Sequence, residues 1–138
     1  MYLIDTNVIS EARKGRRTNR GVKTFFNNVR RAESSVYLSS ISVGELRRGV
    51  ELIRYRGDHR QARRLDSWLQ RLLNEYADNI LGFDADVAQL WGWLRVPHHQ
   101  NALDKQIAAT ALIHDLTVVT RNTDDFSGTG VRLLDPFS

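Results

Sequence analysis

The stretch "MYLIDTNVIS", Met1 to Ser10, runs three apolar residues, Tyr2 to Ile4, straight into the carboxylate of Asp5; a hydroxyl and an amide follow before apolar residues resume. An apolar run this short fits a buried strand better than a helix, whereas "TNVIS" reads as the start of the helix behind it. A strand that passes to a helix through one acid is the opening unit of an alternating α/β chain. In such folds ligands gather beyond the carboxyl ends of the strands, which is where Asp5 stands.

The alternation continues along the chain. "VYL" (Val36 to Leu38), "ILGF" (Ile80 to Phe83), "LTVVT" (Leu116 to Thr120) and "VRLL" near the end are further strand candidates, short and partly β-branched. Between them, residues 42 to 55 carry Leu46, Val50 and Ile53 at helical spacing, and residues 59 to 77 carry Leu65, Trp68, Leu69, Leu72, Leu73 and Tyr76 as one stripe. These two segments predict a helical hairpin near residues 42–77, broken at Gly57 and Asp58. Asp84 reads as the cap of a helix with Val87, Leu90, Trp91 and Leu94 inward, ending before Pro97. A last helix over 102–115 is expected to bury Leu103, Ile107, Ala111 and Leu112. The pattern predicts an α/β fold: a short, mainly parallel sheet flanked by helices, in one domain spanning 1–138.

With 138 residues, 41% hydrophobic and 26% charged, the chain has the makeup of a globular protein and not of a disordered or fibrous one. It has no cysteine, which excludes disulfides and thiolate zinc sites. The four histidines have no spaced partners and read as surface or packing residues. No apolar run reaches membrane-span length, and the N-terminus lacks the pattern of a signal peptide, so a cytoplasmic location is expected. The net charge of +4 is unevenly spread: residues 1–75 hold 16 Lys/Arg against 8 Asp/Glu, and residues 76–138 hold 4 against 8. The basic half, with clusters at Arg13–Lys23 and Arg47–Arg71, suits a polyanion such as RNA or DNA, although solvated helix faces carry such charges too.

Acids recur at element edges: Asp5 after the first strand, Glu45 and Asp104 at helix starts, and Asp124 and Asp125 after the strand ending at Thr120. Each has a structural explanation. Asp5 can cap the turn, Glu45 completes "SVGE" as a capping box with Ser42, Asp104 stands three residues after Asn101 in a first turn, and "NTDD" can be capped by Asn122. Jointly they imply more, because strand ends and helix starts lie along one edge of a parallel sheet. Converging carboxylates repel one another unless a cation offsets them, and an all-oxygen set without His or Cys matches Mg²⁺ or Mn²⁺. An acidic metal centre beside a basic surface points to phosphodiester hydrolysis by metal-activated water.

At these residues the chain resembles PIN-domain ribonucleases, specifically the VapC/FitB-like toxins of bacterial type II toxin–antitoxin pairs. The resemblance rests on "MYLIDTNVIS", "SSISVGELRRGV" from Ser39, "ALDKQIAATALIHDLTVVTRNTDDF" from Ala102 and the closing "GVRLLDPF", in order over nearly the whole chain. It implies a PIN-like fold, a homodimer or higher homo-oligomer, and Mg²⁺- or Mn²⁺-dependent endoribonuclease action. It also implies a small antitoxin partner that blocks the acidic centre. Asp5, Glu45 and Asp104 take the metal-holding role, and Asp125 that of a further ligand or water-positioning acid. Asn122 stands where many relatives place Asp. Thr6 and Asn7 would shape the pocket, Thr6 through a hydroxyl contact near Asp5, and Thr120 would orient a carboxylate or phosphate. Trp93, two residues from the inward Trp91, is expected either at an interface or packed against another element.

Two other readings of the residues stand beside this one. In the first, the chain is a non-catalytic nucleic-acid- or partner-binding domain whose acids are only helix caps. In the second, Asp5 forms an aspartyl phosphate as in haloacid dehalogenase-type phosphatases, a chemistry that wants a second Asp where this chain has Asn7.

Overall fold

The computed structural model describes residues 1–138, all of them. Five short strands form one parallel sheet: β1 (Tyr2–Ile4), β2 (Val36–Ser39), β3 (Ile80–Leu81), β4 (Thr117–Val119) and β5 (Leu133–Leu134), in the order β3-β2-β1-β4-β5. The six α-helices are α1 (Thr6–Ala12), α2 (Arg20–Ala32), α3 (Ser40–Tyr55), α4 (His59–Glu75), α5 (Ala85–Leu94) and α6 (Ala102–Ile113). β1 is central, with Leu3 paired to Tyr37 on one side and to Val118 on the other.

The pleat of β1 explains the two cores. Ile4, together with Leu38 and Val119, faces the layer holding Val8, Val22, Phe25, Leu46, Val50, Leu69 and Leu72, from α1 to α4. Leu3 and Val118 face the opposite layer, where Ile107, Ala108 and Ala111 of α6 meet Leu116 and Phe126. Leu3 and Ile4 are both fully buried, so the strand reads as continuously apolar, as parallel strands covered on both faces do. Truncating either to alanine would leave a cavity and cost about 2–5 kcal/mol.

The expected hairpin is α3 and α4. Gly57 turns at φ +96, and Asp58 caps α4 by accepting the Gln61 amide at 3.1 Å. Arg47 and Arg54 both reach Asp66 across the pair, at 3.0 and 3.3 Å. Asp84 caps α5 through the Val87 amide at 3.0 Å, as anticipated.

Three expectations need correction. First, α3 begins at Ser40, and its cap is Ser39, whose hydroxyl accepts the Ile41 amide at 3.0 Å. Ser42 therefore lies inside the first turn, fully buried with its Oγ unpartnered within the chain, and the capping box with Glu45 does not form. Second, Leu103 is 51% exposed; α6 instead buries Ile107, Ala108, Ala109, Thr110 and Ala111. Third, the basic segment around Arg20 contains an unanticipated helix, α2. Asn19 caps it, and Val22, Phe25 and Val29 recur on its buried face.

Candidate acidic centre at the carboxyl edge of the sheet

Asp5 leaves β1 with its amide donating to the Val119 carbonyl at 2.9 Å, so the end of the strand is still held by β4. Its side chain is buried and receives three donors. The Thr6 amide reaches Oδ1 at 2.8 Å; the Thr120 hydroxyl and the Asn7 amide nitrogen reach Oδ2 at 2.8 and 3.3 Å. Capping and site formation are thus the same geometry, because the Thr6 bond that starts α1 also orients the carboxylate. A carboxylate offers about four lone-pair positions, so three are taken and one, on Oδ1, is left for a further partner.

Asn7 and Thr120 tie two strand ends together. Asn7 donates to Thr120 Oγ1 at 3.2 Å, and its own oxygen accepts the Arg121 amide at 3.0 Å. Thr120 Oγ1 also accepts the Asn122 amide at 3.0 Å. The single hydroxyl proton of Thr120 goes to Asp5 and its lone pairs take the other two bonds, which uses the group fully. Thr120 therefore orients a carboxylate, one of the two roles expected of it. Thr6 meets Asp5 through its backbone amide, while its hydroxyl donates to the neighbouring Glu45 at Oε1, 3.4 Å away.

That bond shows where Glu45 points. Released from the capping role by the earlier start of α3, it turns toward the end of β1. Burial and then the charge of Asp5 push its carboxyl above the ordinary range, against the pull of Thr6. Asp104, in the first turn of α6, is pushed up to about 6, first by burial and then by the charges of Asp5, Asp125 and Glu45. Asp5 is raised chiefly by burial, which outweighs its hydrogen bonds from Thr120, Thr6 and Asn7, and Asp125 raises it further. Asp5, Glu45, Asp104 and Asp125 thus share one field.

Asp125 lies in a single 3₁₀ turn, Thr123–Phe126, tethered toward α6 by the Asn101 side chain, which donates to the Asp125 carbonyl at 3.5 Å. Asp124 in the same turn is exposed and does not contribute to the field at Asp5, Glu45 or Asp104. Asn122 is exposed and enters the centre through its backbone amide; its side chain does not cap the turn. Asn101 likewise precedes α6 without a side-chain cap, adopting φ +54. The four histidines are exposed and stand apart from the centre.

The donor set tests whether a cation fits. No cation is among the charges acting on Asp5, Glu45 or Asp104, and all the available donors are hard oxygens, as Mg²⁺ and Mn²⁺ require. No three acids stand closely enough to enclose an ion in their present rotamers, so coordination requires side-chain adjustment around the fixed Asp5.

The chain is thus a parallel α/β protein with a patch of mutually repelling carboxylates beyond the carboxyl edge of its sheet. The PIN domain family model matches residues 2–131, and the chain belongs to the PIN-domain family. Toxin FitB of Neisseria gonorrhoeae is 38% identical over 144 residues, with 99% of each chain covered. A VapC ribonuclease, Y4jK, of Sinorhizobium fredii is 31% identical over 146 residues, covering 99% of this chain and 98% of the relative. The crystal structure of FitAcB from Neisseria gonorrhoeae superposes with a TM-score of 0.85 at 36% identity, covering 99% of this chain and 98% of the other. A toxin–antitoxin complex from Klebsiella pneumoniae superposes at 0.68 and 26% identity, covering 100% and 99%. The expected PIN-like fold is thereby shown. No helix is long and apolar enough to cross a membrane.

Proposed function

We propose that this chain, acting as one unit over residues 1–138, is the toxin of a toxin–antitoxin pair: a Mg²⁺- or Mn²⁺-dependent endoribonuclease that hydrolyses RNA phosphodiester bonds in the cytoplasm. The observation that carries the proposal is the gathering of acids at one sheet edge: Asp5, held by Thr6, Asn7 and Thr120, has Glu45 beside it on the Thr6 hydroxyl, and both act with Asp125 on the carboxyl of Asp104. Such a gathering disfavours the empty, ionised centre and favours a bound divalent cation. The similarity to a VapC ribonuclease and to a toxin–antitoxin complex supports the substrate class and the partner.

In this reading Asp5, Glu45 and Asp104 hold the cation. When bound, it offsets phosphodiester charge and makes water a stronger nucleophile. Asp5 is the fixed point, since its donors leave it little freedom; Thr6 restrains Glu45 beside it. Asp125 accepts or positions a proton of the attacking water from the side of α6. Asn7 and Thr120 keep Asp5 ionised and aimed, so they are positioning residues.

Trp93 and Val96, at 73% and 77% exposure, line one surface cavity with Leu94, and this uncovered apolar surface supports a homodimer. The antitoxin is the expected blocker of the acidic centre, entering with a basic side chain.

Purified protein incubated with RNA should cleave it in Mg²⁺ or Mn²⁺ and stop on addition of EDTA. RNA binding without cleavage under any divalent cation would instead favour the domain whose acids are only caps. Asn7 argues against the aspartyl-phosphate alternative: the place of its second acid is occupied by an amide committed to Asp5, Thr120 and Arg121.

A further inference from the structure

Away from the acidic centre, three arginines line one cavity together with an aromatic ring. Gln61, Arg64, Leu65, Trp68 and Arg71 share one face of α4, with Arg64, Trp68 and Arg71 at spacings of four and three, and with Arg13 at the end of α1 they line a cavity of about 310 Å³. The Arg13 guanidinium lies 6.0 Å from the Trp68 ring centroid. No acid lines this cavity, and none of the three arginines forms an ion pair; the ion-paired cations of the chain are Lys14, Arg47, Arg54 and Arg132. The cavity continues past Arg13 and Trp68 into a groove of about 460 Å³, where Lys23 and Arg30 face a single acid, Glu75.

Arginines on a helix ordinarily spread over solvent or pair with acids, as Arg47 and Arg54 do on α3. Three left unpaired around one half-buried indole form a site with strong positive potential and a π surface. A guanidinium fork matches a phosphate, and an indole edge or face accepts a base without regard to its identity. The ligand chemistry is therefore that of a flexible polynucleotide strand. α1 links this site to the acidic centre: Asp5 caps its first turn and Arg13 its last, a rise of about 12 Å over eight residues.

We propose that Arg13, Arg64, Trp68 and Arg71 form a docking subsite for single-stranded RNA outside the acidic centre. It holds a backbone phosphate on Arg64 and Arg71 and a base against Trp68, so that the strand beyond runs along α1 to Asp5. This deepens the proposed nuclease reading and rests on it for the substrate class. The subsite makes binding depend on sequence-neutral contacts some distance from the scissile bond.

The test uses the full chain in EDTA, where no cleavage occurs, and a short fluorescein-labelled single-stranded RNA followed by anisotropy across a salt series. The double variant Arg64→Gln/Arg71→Gln alters exposed side chains and should fold normally. It is expected to bind about tenfold more weakly, with the slope of log affinity against log salt reduced by about 0.7, for the one phosphate that the two arginines hold on a single strand. A control, Arg31→Gln/Arg56→Gln, removes equal exposed, unpaired charge elsewhere and should leave the slope unchanged. Equal losses in both pairs would mean a general field and no subsite, and overturn the proposal. So would unchanged RNA affinity in Arg64→Gln/Arg71→Gln, including the case where binding to polyglutamate falls instead, which would assign the face to an acidic protein segment. Separate failures are distinguishable. Cleavage by the wild type with no binding defect in the double variant removes the subsite and keeps the nuclease; a binding defect in a protein that never cleaves does the reverse.

Discussion

Replacing Asp104 with asparagine sets stability against function in a way that can be worked through. In the folded chain the carboxyl is raised from 3.8 to about 6, by burial and by the charges of Asp5, Asp125 and Glu45. Below pH about 4 the group is protonated in both folded and unfolded chains and contributes no penalty. As pH rises, the unfolded chain loses its proton first, so the fold is progressively disfavoured, and the full penalty is present above about pH 6. Two pKa units correspond to about 3 kcal/mol, and the partial exposure of Asp104 reduces this through solvent screening to about 1 kcal/mol. Asparagine carries no charge and escapes the penalty. In EDTA near pH 7.5, Asp104→Asn should therefore melt about 3 °C above the wild type, and the difference should close toward pH 4. Added Mn²⁺ should reverse the order, since cation at about 100 times its Kd adds about 2.7 kcal/mol to the wild type and little to a variant missing a ligand. Differential scanning calorimetry with and without Mn²⁺ reads both effects. A variant that melts below the wild type in EDTA, or a difference indifferent to pH, would refute the reasoning that Asp104 is held against like charges.

Thr120→Val removes the hydroxyl that holds down the Asp5 carboxyl, so cleavage should fall and its pH profile should move to higher pH, with partial recovery in alkaline buffer; a uniform loss at every pH would mean a merely structural role. Ser42→Ala removes a fully buried hydroxyl without a partner, and should raise stability by about 1 kcal/mol in urea denaturation with cleavage unchanged. Gly21→Ala should destabilise by about 2 kcal/mol or more, because its Cβ would stand 2.1 Å from the Pro136 carbonyl oxygen. The residues that clash are the C-terminal ones fastened to Asn19 by Ser138, so this variant should also become sensitive to carboxypeptidase while the wild type resists.

The elements most legible in the sequence were those with a single dominant signal. "YLID" announced its strand because both faces of β1 are buried and every residue before Asp5 is apolar. The α3–α4 hairpin followed from two apolar stripes separated by Gly57 and Asp58. α2 is masked by Arg20, Lys23, Arg30 and Arg31, which make the segment read as a solvated charge run, although Asn19 and the spacing of Val22, Phe25 and Val29 mark a capped amphipathic helix. Ser42 was misread for a related reason: Ser39 and Ser42 are both plausible caps, and local pattern alone cannot say which serine the tertiary packing buries. Leu103 was expected inside on periodicity, yet the small residues Ala108 and Ala111 are what let α6 approach the sheet.

In the site, the places of Asp5 and Asp104 are legible from a strand end and a helix start, since those positions share one sheet edge by topology; Glu45 is the sixth residue of α3 and reaches the centre from inside that helix. The hydrogen-bond wiring is not legible. That Asn7 bridges Asp5 to Thr120 depends on β1 and β4 being neighbours, and that Thr6 serves Glu45 depends on β1 lying beside β2, which leads into α3; both are long-range facts absent from local sequence.

In the proposed function the acidic centre cuts RNA through a cation held by Asp5, Glu45 and Asp104. The most direct measurement is single-turnover cleavage of one RNA in Mn²⁺ by the wild type and by Asp5→Asn, with circular dichroism establishing that both are folded. The account predicts cleavage by the wild type, abolished by EDTA, and none by Asp5→Asn. Equal cleavage rates for the two proteins would contradict it.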